Sequence, residues 1–106
     1  ELWFGKNKIS TIENLNIPHL NLLSLQANRI VKIQGLENLK SLTQLYLSEN
    51  GIEVIEGLEE LTNLTLLDLD KNRISVIQGL DTLTKLEELW LSYNNISSFA
   101  EVAKLK

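Results

Sequence analysis

The chain has 106 residues, a formal charge of −4 and no cysteine. That length suits one domain with one core, and the missing thiols exclude a disulfide framework or a thiolate metal site. The acidic balance argues against nucleic acid or an anionic membrane as the partner, and no apolar run approaches the length of a membrane span. Twenty-three Leu, ten Ile and eleven Asn stand against one Pro and no Met, a composition that points to repetition. No signal or transit segment is visible. The start at Glu1 without Met is expected of a processed chain or a fragment.

In chain order, the sequence opens inside a strand block, Leu2-Trp3-Phe4-Gly5-Lys6-Asn7, and the block returns four times. Asn7, Asn28, Asn50, Asn72 and Asn94 are spaced by 21, 22, 22 and 22 residues. Ile or Phe follows each Asn at fixed offsets: Ile9 and Ile12, Ile30 and Ile33, Ile52 and Ile55, Ile74 and Ile77, Ile96 and Phe99. Gly35, Gly57 and Gly79 then precede Leu36, Leu58 and Leu80. The next strand block reads L-x-x-L-x-L-x-x-N from Leu20, Leu42, Leu64 and Leu86. This is the leucine-rich-repeat signature.

The spacing predicts a solenoid of about five repeats over residues 1–106, one domain, with one short parallel strand per repeat. In L-x-L both leucines enter the core and the residue between them faces out. The Asn ends the strand where the chain turns, and its amide can satisfy backbone groups of that turn. The expected fold class is an α/β horseshoe with a concave parallel sheet. The half-repeats are too short for much α-helix, so the convex side is expected to carry 3₁₀ or extended pieces, with each Gly at a tight bend or positive φ. The short repeat around Pro18 predicts a local adjustment of the outer arc. Phe99, Ala100 and Val102 mark a change in the last repeat. Neither end reads as a polar cap, so the array is expected to be the middle of a longer one, or to have lost its caps.

The outward strand positions form the concave face. Their central column is Trp3, Ser24, Tyr46, Asp68 and Trp90, which holds three of the six aromatic residues. The fifteen outward positions carry four acids (Glu1, Asp68, Asp70, Glu88) and no Lys or Arg, leaving ten acids against ten bases elsewhere. The net charge therefore resides on this face. Aromatic anchors beside carboxylates suit a basic protein partner, with the rings supplying apolar area and the acids orientation. Trp3, Tyr46, Asp68, Asp70, Glu88 and Trp90 are the candidate partner-binding residues. The bland alternative is that the aromatics only stack across the sheet.

Catalytic constellations fail. His19 is the single His, in the irregular turn, so no Ser/His or Cys/His set can form. Asp68-x-Asp70-x-Asn72 imitates a calcium loop, but the sixth and twelfth positions are Arg73 and Gly79, not Gly and Glu. Asn63-Leu-Thr65 and Asn95-Ile-Ser97 match the short glycosylation acceptor pattern, which is discounted without a secretory signal. No cofactor or metal site is read.

The repeat N-x-I-x-x-I-x-G-L-x-x-L is shared with dynein-associated and splicing-associated proteins and with bacterial internalins. "GKNKI" at Gly5 to Ile9, "LYLSENGIEVIEGLE" at Leu45 to Glu59 and "LDLDKNRI" at Leu67 to Ile74 narrow the likeness. With these strings the whole chain resembles the leucine-rich-repeat regulatory subunits of protein phosphatase 1. The resemblance implies a non-catalytic protein of the nucleus and cytoplasm. It implies docking of the phosphatase catalytic subunit, which a further inhibitor protein can join, on the concave face. Trp3, Asp68, Glu88 and Trp90 occupy contact positions of that family; Tyr46 and Asp70 come from the charge and column reading alone. The competing expectation is a scaffold or adhesion module for a different basic protein.

Overall fold

The computed structural model describes residues 1–12, 17 and 19–99. The adjustment expected around Pro18, and the changes at Ala100 and Val102, lie outside the described residues. Among the described residues seven short strands are present: β1 (Leu2–Trp3), β2 (Leu22–Ser24), β3 (Gln44–Tyr46), β4 (Leu66–Asp68), β5 (Val76–Ile77), β6 (Glu88–Trp90) and β7 (Ser98–Phe99). Five of them form one open parallel sheet in the order β1-β2-β3-β4-β6, while β5 and β7 pair separately. The register keeps each repeat in phase, so that Leu23 pairs with Leu45, Leu45 with Leu67 and Leu67 with Leu89.

Period two explains which side is core. Leu23, Leu45, Leu47, Leu67 and Leu69 are fully or almost fully buried behind the sheet, and Ile30, Ile52 and Ile74 close over them from the next turn. Leu36, Leu39, Leu58 and Leu61 fill the opposite wall. The core is thus a continuous column of aliphatic side chains, to which every repeat adds the same layer.

The convex wall is made of turns. Leu39 N–H donates to Leu36 O at 3.0 Å and Leu42 N–H to Leu39 O at 3.1 Å, and the next two repeats copy the pair at Leu58–Leu61–Leu64 and Leu80–Leu83–Leu86. These are i to i+3 bonds of the 3₁₀ type, but each closes a separate turn. No described residue lies in a helix, so the α part of the expected class reduces to turns and the β5–β7 pair. Such half-repeats hold too few residues to nucleate and propagate a helix. The glycines do what their position suggests. Gly57 and Gly79 have φ of 74° and 71°, and a Cβ on Gly79 would stand 2.6 Å from Ile55 O.

The asparagines tie the repeats together. Asn72 Nδ2 donates to Leu69 O at 3.0 Å and Asp70 O at 3.1 Å in its own repeat, and reaches back to Leu47 O at 3.0 Å in the previous one. Its Oδ1 accepts from Ile52 N–H at 3.1 Å. Asn28, Asn50 and Asn94 repeat this pattern, each reaching into the repeat before it. The residue before each Asn (Lys6, Ala27, Glu49, Lys71, Tyr93) sits at φ between 56° and 60°. A left-handed residue without glycine is uncommon and costs free energy. The turn that delivers the amide to its carbonyls offsets that cost.

Asn72→Asp tests the ladder. The carboxylate keeps the shape but loses both N–H donors facing three carbonyls, so the urea midpoint should fall by the equivalent of at least about 2 kcal/mol, within the range for stranded buried groups. Asn7→Asp should cost less, because Asn7 is exposed and, among the described residues, bonds Phe4 O and Gly5 O of its own turn.

Candidate functional site

The strand register aligns Trp3, Ser24, Tyr46, Asp68 and Trp90 in one row across the face opposite the core. The three aromatics occupy alternate strands and touch. Trp3 and Tyr46 stack with centroids 6.4 Å apart and planes at 19°, and Tyr46 meets Trp90 edge-on at 6.3 Å and 62°. Next-but-one strands are about 9.6 Å apart in a flat sheet, so the rings lean together over the shorter residue between them. Both arrangements lie within the favourable range for aromatic pairs. Tyr46 is further held by its hydroxyl, which donates to Gln44 Oε1 at 3.0 Å.

The ridge covers what lies beneath it. Ser24 is fully buried, although it faces away from the core, and its Oγ has no hydrogen-bond partner among the described residues. Asp68 is buried as well. Asp70 N–H donates to Asp68 Oδ1 at 3.0 Å. Burial pushes the Asp68 carboxyl above its ordinary value, against the hydrogen bond from Asp70 N–H; the negative charge of Asp70 adds to the rise and a hydrogen bond with Ser48 opposes it.

The flanks stay open. Trp3 is 61% and Trp90 40% exposed, so the ring contacts leave much of both indoles free. Glu88 is exposed at the entry of β6, in register with Leu66. Asp70 is partly buried and braces the far end of β6, accepting from Ser92 N–H at 2.6 Å. The two ion pairs within 4.0 Å among the described residues, Lys40–Glu60 and Lys71–Glu49, involve none of the acids of this face. All six candidate residues therefore share one surface, in different roles. Trp3, Trp90 and Glu88 are accessible, Tyr46 links the two indoles, and Asp68 and Asp70 bond the backbone. Ser24, Gln44 and Ser48 complete the constellation; their outward positions placed them on the face, but nothing in their identity announced these roles. His19 lies in an exposed turn away from this row. No cluster of His, Asp and Glu among the described residues could hold a metal ion.

An open parallel sheet of in-phase repeats with a ridged, acidic outer face defines a solenoid. The chain belongs to the leucine-rich-repeat family: the family described as "Leucine rich repeat" matches residues 18–74, more than half the chain, and "Leucine Rich repeats (2 copies)" matches residues 62–104. Leucine-rich repeats generally mediate protein–protein interaction, and neither match indicates an enzyme. Among solved structures, an internalin from Listeria monocytogenes is similar, at 27% identity and a TM-score of 0.69, over 87% of this chain. The chain spans 32% of that internalin. No curated protein matches the chain.

The raised Asp68 carboxyl gives a signed pH prediction. A carboxyl whose folded pKa lies above its unfolded value binds more protons in the fold, so it favours the fold in acid, and that contribution is lost as pH rises through the folded pKa. Asp68→Asn should therefore raise the urea midpoint at pH 7. The difference should shrink as pH falls below the ordinary carboxylate range. An equal midpoint at pH 7 would show that the buried charge costs nothing.

Proposed function

We propose that this chain is a non-catalytic regulatory module whose concave face docks the catalytic subunit of protein phosphatase 1. The supporting observation is the aromatic ridge on an acidic surface: Trp3 and Trp90 each in contact with Tyr46 between them, with both indoles partly exposed. Such a ridge offers a partner preorganised apolar area at little cost in side-chain ordering. Glu88 supplies an exposed carboxylate beside Trp90, and the absence of basic residues among the outward strand positions favours a basic surface on the partner. The phosphatase itself rests on the resemblance of "GKNKI", "LYLSENGIEVIEGLE" and "LDLDKNRI" to the regulatory subunits of that enzyme. Action in the nucleus and cytoplasm, with a further inhibitor protein in the complex, belongs to the same reading.

In this mechanism Trp90 and Trp3 are anchors, Tyr46 fixes their spacing, and Glu88 receives a cation at the rim. Asp70 acts by holding the end of β6 to that of β4, Asp68 accepts from the backbone at the end of its own strand, and both add negative potential. A second reading, a scaffold or adhesion module for a different basic protein, draws on the likeness to the internalin.

Calorimetry with the purified catalytic subunit tests the proposal. The wild-type chain should bind. The double variant Glu88→Ala, Trp90→Ala, folded by circular dichroism, should bind at least about thirtyfold more weakly, the equivalent of one hot spot of about 2 kcal/mol. Absence of wild-type binding would remove the phosphatase and leave the second reading. Equal binding by the variant would remove the face.

A further inference from the structure

We propose that Asn50 is a site of self-modification, masked by the fold: the Asn50–Gly51 peptide converts to aspartate and isoaspartate when the ladder opens at this repeat. Of the five ladder asparagines, Asn50 alone precedes glycine; the others precede Lys8, Arg29, Arg73 and Asn95. The reaction is intramolecular. The Gly51 backbone nitrogen, having lost its proton, attacks Asn50 Cγ. A bond forms between them, the Cγ–Nδ2 bond breaks, and ammonia leaves. Water then opens the succinimide at either carbonyl, giving aspartate or isoaspartate. A following glycine has no side chain to hinder the attack.

The native geometry blocks both reactants. Asn50 Nδ2 donates to Leu47 O at 3.0 Å, Leu25 O at 3.1 Å and Ser48 O at 3.2 Å, and its Oδ1 accepts from Ile30 N–H at 3.0 Å. The nucleophile is engaged too, because Gly51 N–H donates to Ile30 O at 2.8 Å. Attack requires the side chain to swing off all its partners. The native rate is then the unfolded rate multiplied by the fraction of time the repeat is open. The product cannot close the ladder again: a carboxylate has only acceptors to present to three carbonyl oxygens, and isoaspartate also lengthens the backbone between β3 and the next turn. Opening at this repeat thus becomes irreversible, and the product is of the class that isoaspartyl-specific methyltransferases recognise.

Gly51 provides a control that should still fold. A Cβ there would lie 3.4 Å from Val31 Cγ1 and 3.7 Å from Ile30 O, ordinary contacts. The chain is incubated at mildly alkaline pH in native buffer and in unfolding urea, and isoaspartate is located by methyltransferase labelling and peptide mass mapping. In urea, position 50 should label first, and in native buffer it should label at least about tenfold more slowly. Gly51→Ala should suppress the urea signal while folding normally by circular dichroism. Asn50→Asp, standing in for the product, should have a lower urea midpoint than wild type. Equal labelling of position 50 in both buffers, earlier labelling elsewhere in urea, or an unchanged midpoint for Asn50→Asp would overturn the proposal.

Discussion

The side-chain amide of one asparagine per repeat is the interaction on which the rest depends. Strands of two or three residues make too few ladder bonds to hold a sheet by themselves. Each Asn adds bonds that run along the solenoid axis, linking its own strand end to the strand end and turn of the preceding repeat. An aspartate has no N–H to give and a leucine has neither donor nor acceptor. Only an amide serves both kinds of orphaned group in one place. The left-handed residue before each Asn is the conformational cost of that arrangement.

With the register fixed, the outer face follows. Residues at equivalent positions are stacked strand by strand, so a column in the sequence becomes a row in space. Large rings on every strand would crowd as the face curves. Alternating them with Ser24 and Asp68 lets Trp3, Tyr46 and Trp90 close into one ridge. The ridge has its own cost: it buries a hydroxyl with no hydrogen-bond partner among the described residues, and a carboxyl whose ionisation burial opposes. A face optimised for stability alone would put apolar residues at both positions, and their retention fits a surface shaped for contact. The same geometry answers why Trp90 faces away from the core. It packs on Tyr46 and still offers 40% of its surface.

The repeat, the strands, the core column and the ladder were legible because each rests on a period: two along the strand and, after a first spacing of 21, 22 along the chain. The outward column was legible for the same reason, down to the alignment of Trp3 with Trp90. What periodicity misses is how neighbouring side chains share space. Asp68 reads as an open acid in the sequence, yet it is buried, in register between Tyr46 and Trp90. Asp70 reads as a second such acid, yet its carboxylate accepts from Ser92 N–H just past the end of β6. Nor does the pattern distinguish a 3₁₀ segment from separate i to i+3 turns, because both place leucines three apart; the structure chooses turns.

The central claim is that this ridge is the docking surface. Trp3 and Trp90 are the chain's two tryptophans, so a tryptophan probe reports on the ridge and nothing else. The most direct measurement is fluorine NMR of the chain labelled with 5-fluorotryptophan, titrated with unlabelled phosphatase catalytic subunit. The account predicts that both indole resonances shift or broaden as the complex forms, and that solvent-induced shifts at both sites diminish at saturation. Binding that leaves both resonances unchanged would contradict it.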